Sequence, residues 1–375
     1  MDKKHRKIFW PFSFLYHGII HVRNLFFDKK IFRSASFDLP VICVGNLSVG
    51  GTGKSPMVEY LVTILHKRYK VATLSRGYKR KTKGFYIADE NTTMSDIGDE
   101  PMQFYRKFRD ITVSVDEDRV MGIPKILNDR PETEIIILDD AFQHRQVAAG
   151  LNILLTACDN LYTKDFLLPA GSLRDEKKSS RRADIIIVTK CNENLSQQQR
   201  QKIIEELNPG NTQRVFFTTI KYGAPYSLFH DQNRDLNNDD SVLLITGIAD
   251  PKLIEMLLDS KVLLKKTLRF KDHHLYNESD IKKIKEEFSK MNSSRKIILT
   301  TEKDATRLSS FKNDLKDLPV FVLPMAHQFL FDEEISFQDK ILKYVQKEKK
   351  QTDFACTVFK HKKNNEKSYN LYYVK

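Results

Sequence analysis

Several groups of residues in this chain have the types and spacing that chemistry on a phosphate requires. The first is Ser48-Val49-Gly50-Gly51-Thr52-Gly53-Lys54-Ser55. Glycines let a backbone wrap closely around an anion and turn its N–H groups inward. A helix opening with Gly-Lys-Ser adds the partial charge of its N-terminus, a lysine for the terminal phosphates and a hydroxyl for Mg²⁺. The usual pattern has glycine where this chain has Ser48, and a short glycine pattern alone also reads as a turn before an ordinary helix. The second group is Asp139-Asp140, which ends the apolar run 135–138. A carboxylate there could hold Mg²⁺ beside the loop, or the pair could simply open a turn. Gln143 and His144 follow closely and could touch substrate or phosphate.

The third group is Gly98-Asp99-Glu100-Pro101. Proline in a first helical turn with acids before it is a good helix start and needs no function. As chemistry, one carboxylate could accept a proton from an attacking hydroxyl and the other could bind metal. A fourth is Asp272-His273-His274. Adjacent side chains point apart, so a joint metal site is disfavoured. One imidazole tuned by a carboxylate for proton transfer, or a surface turn, fits better. Arg76, Arg119 and Arg174 are candidates for phosphate contacts, since a guanidinium can capture phosphate bidentately. Thr300–Asp304 and Thr189–Asn192 faintly resemble the Asn-Lys-x-Asp guanine-reading element of GTPases, but neither begins with Asn.

These residues need elements to hold them. Apolar runs at 41–44, 71–74, 111–115, 135–138, 151–155 and 185–188 read as buried strands. They alternate with helical patterns at 55–67, 101–108, 119–127 and 196–207. Met57, Tyr60, Leu61, Ile64 and Leu65 fall on one helical face just after the loop. Near-continuous apolar strands alternating with helices predict an α/β fold with a mostly parallel sheet covered on both faces. Residues 221–240 are polar and turn-rich, and α/β alternation then resumes with strands at 242–245, 262–268, 297–300 and 320–323 and a helix at 334–345. The expected division is an N-terminal segment 1–35, a phosphate-loop domain 36–220, a linker 221–240, a smaller α/β domain 241–347 and a basic extension 348–375. Within that extension, 357–359 and 369–374 could form a hairpin around 361–367.

The chain has 375 residues, enough for two domains, and a net charge of +13. That balance favours anionic partners: nucleic acid, an acidic membrane surface or phosphorylated substrates. Four cysteines without a C-x-x-C pair exclude a zinc ribbon or a disulfide framework and suit a reducing compartment. The N-terminus is basic, with Lys3, Lys4, Arg6 and Lys7, and then apolar. His17, His21, Arg23 and Asn24 break the run too often for a membrane span. Leu15, Ile19, Val22 and Phe26 share a helical face, with Trp10 and Tyr16 suited to a lipid–water boundary. The segment reads as an interfacial amphipathic helix, or as a core helix packed on the next domain.

Taken together, the motifs resemble those of the tetraacyldisaccharide 4′-kinase (lipid A 4′-kinase) family. They are Asn46–Pro56, Leu74–Tyr78, Gly98–Pro101, Asp139–His144, Leu168–Arg174, Asp272–His274 and Thr301–Ala305, in the family's order. The chain departs from the family pattern at Ala141, where glycine is usual, and at Gly171-Ser172-Leu173-Arg174-Asp175. The resemblance implies a P-loop NTPase-like α/β/α domain and a smaller α/β/α domain joined by a short β linker, with an N-terminal membrane-associated helix. It implies transfer of the γ-phosphate of ATP to the 4′-hydroxyl of tetraacyldisaccharide 1-phosphate, giving lipid IVA. The enzyme would sit peripherally on the cytoplasmic face of the bacterial inner membrane, on anionic lipids, without nucleic acid or an obligate protein partner. Carried over by motif, Asp99 looks like the general base and His273 its partner from the other domain.

The expected site therefore has residues 48–55 around ATP, with Ser55, Glu100, Asp139 and Asp140 as candidate Mg²⁺ ligands. Arg76, Arg119, Gln143, His144 and Arg174 are candidate substrate contacts. Two other classes stay open: a GTP-hydrolysing switch or metallochaperone, and a non-catalytic membrane-associated nucleotide-binding scaffold.

Overall fold

The computed structural model describes residues 9–248, 251–360 and 372–374. Its helices are α1 (Trp10–Asp28), α2 (Lys54–Leu65), α3 (Met94–Ile97), α4 (Asp99–Lys107), α5 (Arg119–Asp129), α6 (Gln197–Leu207), α7 (Lys252–Asp259), α8 (Glu278–Ser289), α9 (Glu302–Leu308), α10 (Lys312–Leu315) and α11 (Glu334–Lys360). The strands up to the linker are β1 (Ser34–Ser36), β2 (Val41–Asn46), β3 (Val71–Ser75), β4 (Tyr86–Ile87), β5 (Thr112–Val115), β6 (Ile135–Asp139), β7 (Leu151–Ala157), β8 (Ile185–Thr189) and β9 (Arg214–Tyr222). Beyond it lie β10 (Tyr226–Ser227), β11 (Ser241–Thr246), β12 (Leu264–Arg269), β13 (Lys296–Thr301), β14 (Val320–Leu323), β15 (Met325–Phe329) and β16 (Tyr372–Val374).

The larger sheet has nine strands in the order β15-β9-β8-β7-β2-β6-β3-β5-β4. It is parallel except at its edges, where β4 and β15 run antiparallel to β5 and β9. Alternation along each strand divides its side chains between two cores. Ile42 and Val44 of β2 join Ile135 and Ile137 of β6 on one face, with Met57, Leu61 and Leu65 of α2. Val41 and Cys43 join Ile136 and Leu138 on the other, with Ile123, Ile126 and Leu127 of α5. Each fully buried aliphatic side chain contributes about 1.5–3 kcal/mol to this sandwich. The smaller sheet, β10-β14-β13-β11-β12, repeats the plan, with Leu243 and Ile245 facing one core and Val242 and Leu244 the other.

The chain crosses between the sheets twice, after Tyr222 and again after Leu323. The crossings lie side by side, tied by the Gly223 N–H to the Pro324 carbonyl at 3.0 Å. The return crossing changes the expected boundaries. The second unit does not run to residue 347, because β15 pairs with β9 of the first sheet. Phe337, Ile341 and Val345 of α11 bury themselves in the first sheet's core. The expected linker also contributes to the second sheet, since β10 pairs with β14.

The C-terminal hairpin is not formed. Residues 357–359 lie in α11, and β16 pairs antiparallel with β1 instead. The 361–367 turn proposed for that hairpin lies outside the described residues, as do Lys3, Lys4, Arg6 and Lys7.

Helix α1 is turned against the usual rule. Its polar side faces the protein: Ser13 donates to the Leu167 carbonyl, Tyr16 to the Arg174 carbonyl, and Asn24 to Asp175 at 2.8 Å. His17 and His21 both meet Glu176, at 3.0 and 2.9 Å. Its apolar side is outside, with Phe14, Leu15 and Ile19 61–69% exposed. The helix therefore does pack on the next domain, as the alternative reading expected, but through its polar side, with only Asn24 and Phe27 of the helix buried. Among the described residues no helix is long and apolar enough to cross a membrane.

Candidate active site

β2 and β6 are neighbours in register, Val44 opposite Asp139. The loop leaving β2 therefore lies beside the acids ending β6, at the carboxyl ends of the strands, where open parallel sheets bind ligands. Gly53 has φ +83°, left-handed, at the start of α2. A side chain there would be strained by that φ and would press on His327, whose ring atoms lie 3.0–3.1 Å from a built Cβ. His327 meets the Gly53 carbonyl through Nε2 at 2.9 Å and Thr218 Oγ1 through Nδ1 at 2.9 Å. A carbonyl only accepts, so Nε2 carries the proton and Nδ1 accepts from Thr218.

Asp140 joins the cations of this region. Lys54 Nζ is 3.6 Å from it, and Arg174 grips both its oxygens while also donating to Asn46 Oδ1 at 2.6 Å. Burial alone would raise the Asp140 carboxyl, but Lys54 and Arg174 hold it down at about 2. Asp139 behaves oppositely. Burial first, then the charges of Glu100 and Asp140, push it up to about 8, and its buried Oδ1 has no hydrogen-bond partner. Gln143 Nε2 donates to the Asn46 carbonyl at 2.7 Å. His144 is lowered to about 4 by burial and then by Arg119, and its Nε2 lacks a partner. Arg119 is buried with Nε unpartnered, whereas Arg76 is exposed. Val49, Gly50 and Gly51 are exposed at the loop tip, and Thr52 accepts from Asn46 Nδ2.

The opposite wall comes from several segments. Gly98, at φ +91° and with the Tyr78 carbonyl 2.8 Å from a built Cβ, turns the chain into α4. Asp99 and Glu100 thus start a helix whose last turn carries Arg106 and Lys107, the favourable order for its dipole. Glu100 Oε1 accepts from Ser55 Oγ at 3.1 Å. His273, at φ 56°, follows β12 and places Nδ1 2.9 Å from Asp99 Oδ2. Its neighbour His274 turns away, stacked on Phe270 and bonded to Asp280 at 2.8 Å. Since a carboxylate only accepts, His273 is protonated at Nδ1, leaving Nε2 toward the cleft.

Two further residues reach this wall from α9. Lys303 Nζ lies 3.1 Å from Glu100 Oε1 and 3.3 Å from His273 Nε2. Arg307 donates to Asp99 Oδ2 and, at 3.0 Å, to Asp304. Burial would raise Asp99, but His273, Lys303 and Arg307 outweigh it and hold its carboxyl far below the usual range. Sequence reasoning gave Lys303 a place in a motif without a role and missed Arg307 altogether. The available signal was their i, i+4 spacing on a helix beginning at the end of a parallel strand.

A parallel sheet with a Gly-Lys-Ser loop after a central strand, acids on the next strand and a second α/β unit closing over the loop defines a P-loop kinase fold. The family model described as tetraacyldisaccharide-1-P 4'-kinase (LpxK) matches residues 5–346. A tetraacyldisaccharide 4'-kinase of Parabacteroides distasonis is 45% identical over 91% of this chain and 95% of its own length. That of Flavobacterium johnsoniae is 46% identical over 88% of this chain and 96% of its own. The crystal structure of LpxK from Aquifex aeolicus in complex with ATP aligns with a TM-score of 0.71 at 31% identity, covering 91% of this chain and 99% of that one. The chain belongs to the tetraacyldisaccharide 4′-kinase family.

Proposed function

We propose that this protein transfers the γ-phosphate of ATP to the 4′-hydroxyl of tetraacyldisaccharide 1-phosphate, giving lipid IVA. The observation that carries the reading is the meeting of Asp99 with His273 beside Glu100, which itself reaches the loop hydroxyl of Ser55. The names of the relatives supply the substrate, and the ATP complex of the Aquifex aeolicus protein supports the nucleotide.

In this mechanism the amides of residues 48–55 and Lys54 hold the β- and γ-phosphates. Asp140 keeps Lys54 and Arg174 aimed at the loop. The 4′-hydroxyl approaches the Asp99–His273 pair, which receives its proton as the new P–O bond forms and the bond from the γ-phosphorus to the bridging oxygen breaks, releasing ADP. Asp99, held strongly ionised, orients the imidazole through Nδ1 and balances the charge it gains when Nε2 takes the proton. Phosphoryl transfer needs chiefly positioning and charge neutralisation, so a modest base suffices. Arg76, Arg119, Gln143 and His144 line the same side and are assigned to substrate phosphate and sugar.

Mg²⁺ fits this set of donors. Ser55, Glu100 and Asp139 offer only oxygen, the ligand type hard cations take. Asp139 has a buried unpartnered oxygen and a carboxyl raised first by burial and then by its acidic neighbours, both of which a divalent cation would relieve. Asp140 is already engaged by two cations and fits less well. Mg²⁺ bound here would offset charge on the β- and γ-phosphates.

The exposed apolar side of α1 suits shallow insertion into the cytoplasmic face of the inner membrane. Changing Phe14, Leu15, Ile19 and Val22 together to serine should abolish sedimentation with anionic vesicles; unchanged sedimentation rejects α1 as the anchor. For the activity, wild-type protein is incubated with γ-labelled ATP and the disaccharide 1-phosphate. Label on the 4′-oxygen is expected, and release to water alone, or a preference for GTP, rejects the kinase reading.

A further inference from the structure

Two cations reach the reaction wall from α9, and their surroundings differ. Arg307 is buried at 2% exposure, and its guanidinium is shared among Asp99, Asp304 and the Gly247 carbonyl. Both of its terminal nitrogens are committed to groups of the protein itself. Lys303 lies one turn earlier on the same helix, with its side chain 21% exposed. Its ammonium touches Glu100 Oε1 at 3.1 Å, His273 Nε2 at 3.3 Å and Asp99 Oδ2 at 4.0 Å. Glu100 Oε1 is the same oxygen that accepts from Ser55 Oγ. One carboxylate oxygen therefore separates the ammonium from the hydroxyl that closes the phosphate loop. On its other side stands the imidazole nitrogen facing the cleft. A phosphoryl group leaving the loop for a hydroxyl beside the dyad must pass this point.

We propose that Lys303 is a catalytic residue: its ammonium leaves Glu100 for a non-bridging oxygen of the transferring phosphoryl group, as a cation supplied in cis by the second domain. The proposal rests on the kinase reading above and adds to it a named source of transition-state charge. Three considerations carry it. The reaction accumulates charge on the phosphoryl oxygens, and a cation placed there in a closed cleft acts mainly on the transition state. The ammonium stands in an ion pair with Glu100 at 3.1 Å and within 4.0 Å of Asp99, so a cation is already poised between the loop and the dyad. A flexible four-carbon stem allows the short swing that the fixed fork of Arg307 does not. The position also couples chemistry to closure, because the lysine reaches the loop only when the two sheets meet.

The competing account is a latch, in which Lys303–Glu100 merely holds the domains together. Kinetics and trapping separate the two. Lys303→Met should lower kcat by about 10²–10⁴-fold, the range for removing such a cation, while the affinity for ADP stays within about threefold. The trapped complex of ADP, aluminium fluoride and lipid should form with wild type and fail with Lys303→Met. Lys303→Arg should recover part of kcat, and added ethylamine should raise the turnover of Lys303→Ala. ADP affinity measured on the same samples reports folding of each variant. A kcat within about threefold of wild type, or a fall in ADP affinity as large as the fall in kcat, overturns the proposal. An active wild type with an equally active Lys303→Met variant leaves the kinase reading standing and removes Lys303 alone. A wild type that does not phosphorylate the lipid removes the kinase reading itself.

Discussion

The phosphate loop draws its groups from one unbroken stretch, 48–55, whereas the wall facing it is assembled from distant segments. Asp99 and Glu100 come from α4, His273 from the turn after β12, and Lys303 and Arg307 from α9. The loop is fixed by its own backbone, by β2 and β6, and by His327 behind Gly53. The wall exists only because two sheets close on each other. Chain continuity holds the first site and tertiary contact holds the second. Nucleotide binding should therefore survive damage to the wall, and turnover should not.

The largest effects test that division directly. Lys54→Ala should lower kcat/KM by about 10³-fold or more and weaken ATP binding in calorimetry, since it removes the loop's own cation. Asp99→Asn should cost about 10²–10⁴-fold in kcat, in the range of lost acid–base and orienting groups, with ATP affinity unchanged. Equal losses of ATP affinity in both variants would erase the distinction. His273→Ala, at about 10–10²-fold in kcat, should follow Asp99→Asn in kind.

The same contrast explains what could be read from residues alone. The strand, loop and helix of the phosphate site lie within 41–65, so apolar runs, glycines and Gly-Lys-Ser were sufficient. The wall has no such signature. Asp99 and Glu100 read equally well as a helix start, and His273 as a surface turn. Only the ordered set of family motifs linked them. Two larger features were also hidden, for a related reason. The apolar pattern of 334–345 announces a helix but not which sheet receives it, and the return of β15 to β9 depends on pairing between distant strands. The stripe on α1 announces two faces, but polar bonds from Ser13, Tyr16 and Asn24 decide which one meets the protein.

A smaller effect sharpens the loop's side of the comparison. His327 is buried and neutral, and burial lowers it to about 4 from the usual 6.5. A base whose folded pKa is depressed contributes stability that is complete above the unfolded value. That stability is lost as pH falls from about 6.5 toward 4, up to roughly 3 kcal/mol. Chemical denaturation across this window should show the loss in wild type and a flatter dependence in His327→Gln. Loosening Gly53 should also raise KM for ATP by about 3–10-fold, roughly the worth of one buried hydrogen bond. An unchanged KM would mean the loop needs no support from β15.

The smallest expected effect lies at the closure itself. Lys107 of α4 bridges Glu59 of α2 at 2.6 Å and Glu302 of α9 at 2.7 Å. Both carboxylates are about 5% exposed, so Lys107→Met leaves two buried acids facing each other across the domain boundary. Lys107 is itself a third exposed, and water can partly replace it, so kcat/KM for the lipid should fall only about 2–5-fold, within about 1 kcal/mol. ADP affinity should not change, because no loop residue is touched. The pH dependence identifies the cause. Burial first, then Glu302, already raises Glu59 to about 7 even with Lys107 opposing. An acid whose folded pKa is raised favours the closed state most at low pH and loses that contribution as pH rises through about 4.5 to 7. Removing the lysine raises that pKa further, so the defect should deepen above pH 7 and shrink near pH 5.5. A pH-independent defect would show that Lys107 acts by packing and not by charge. A matching loss of ADP affinity would show that the loop and the wall are a single unit after all.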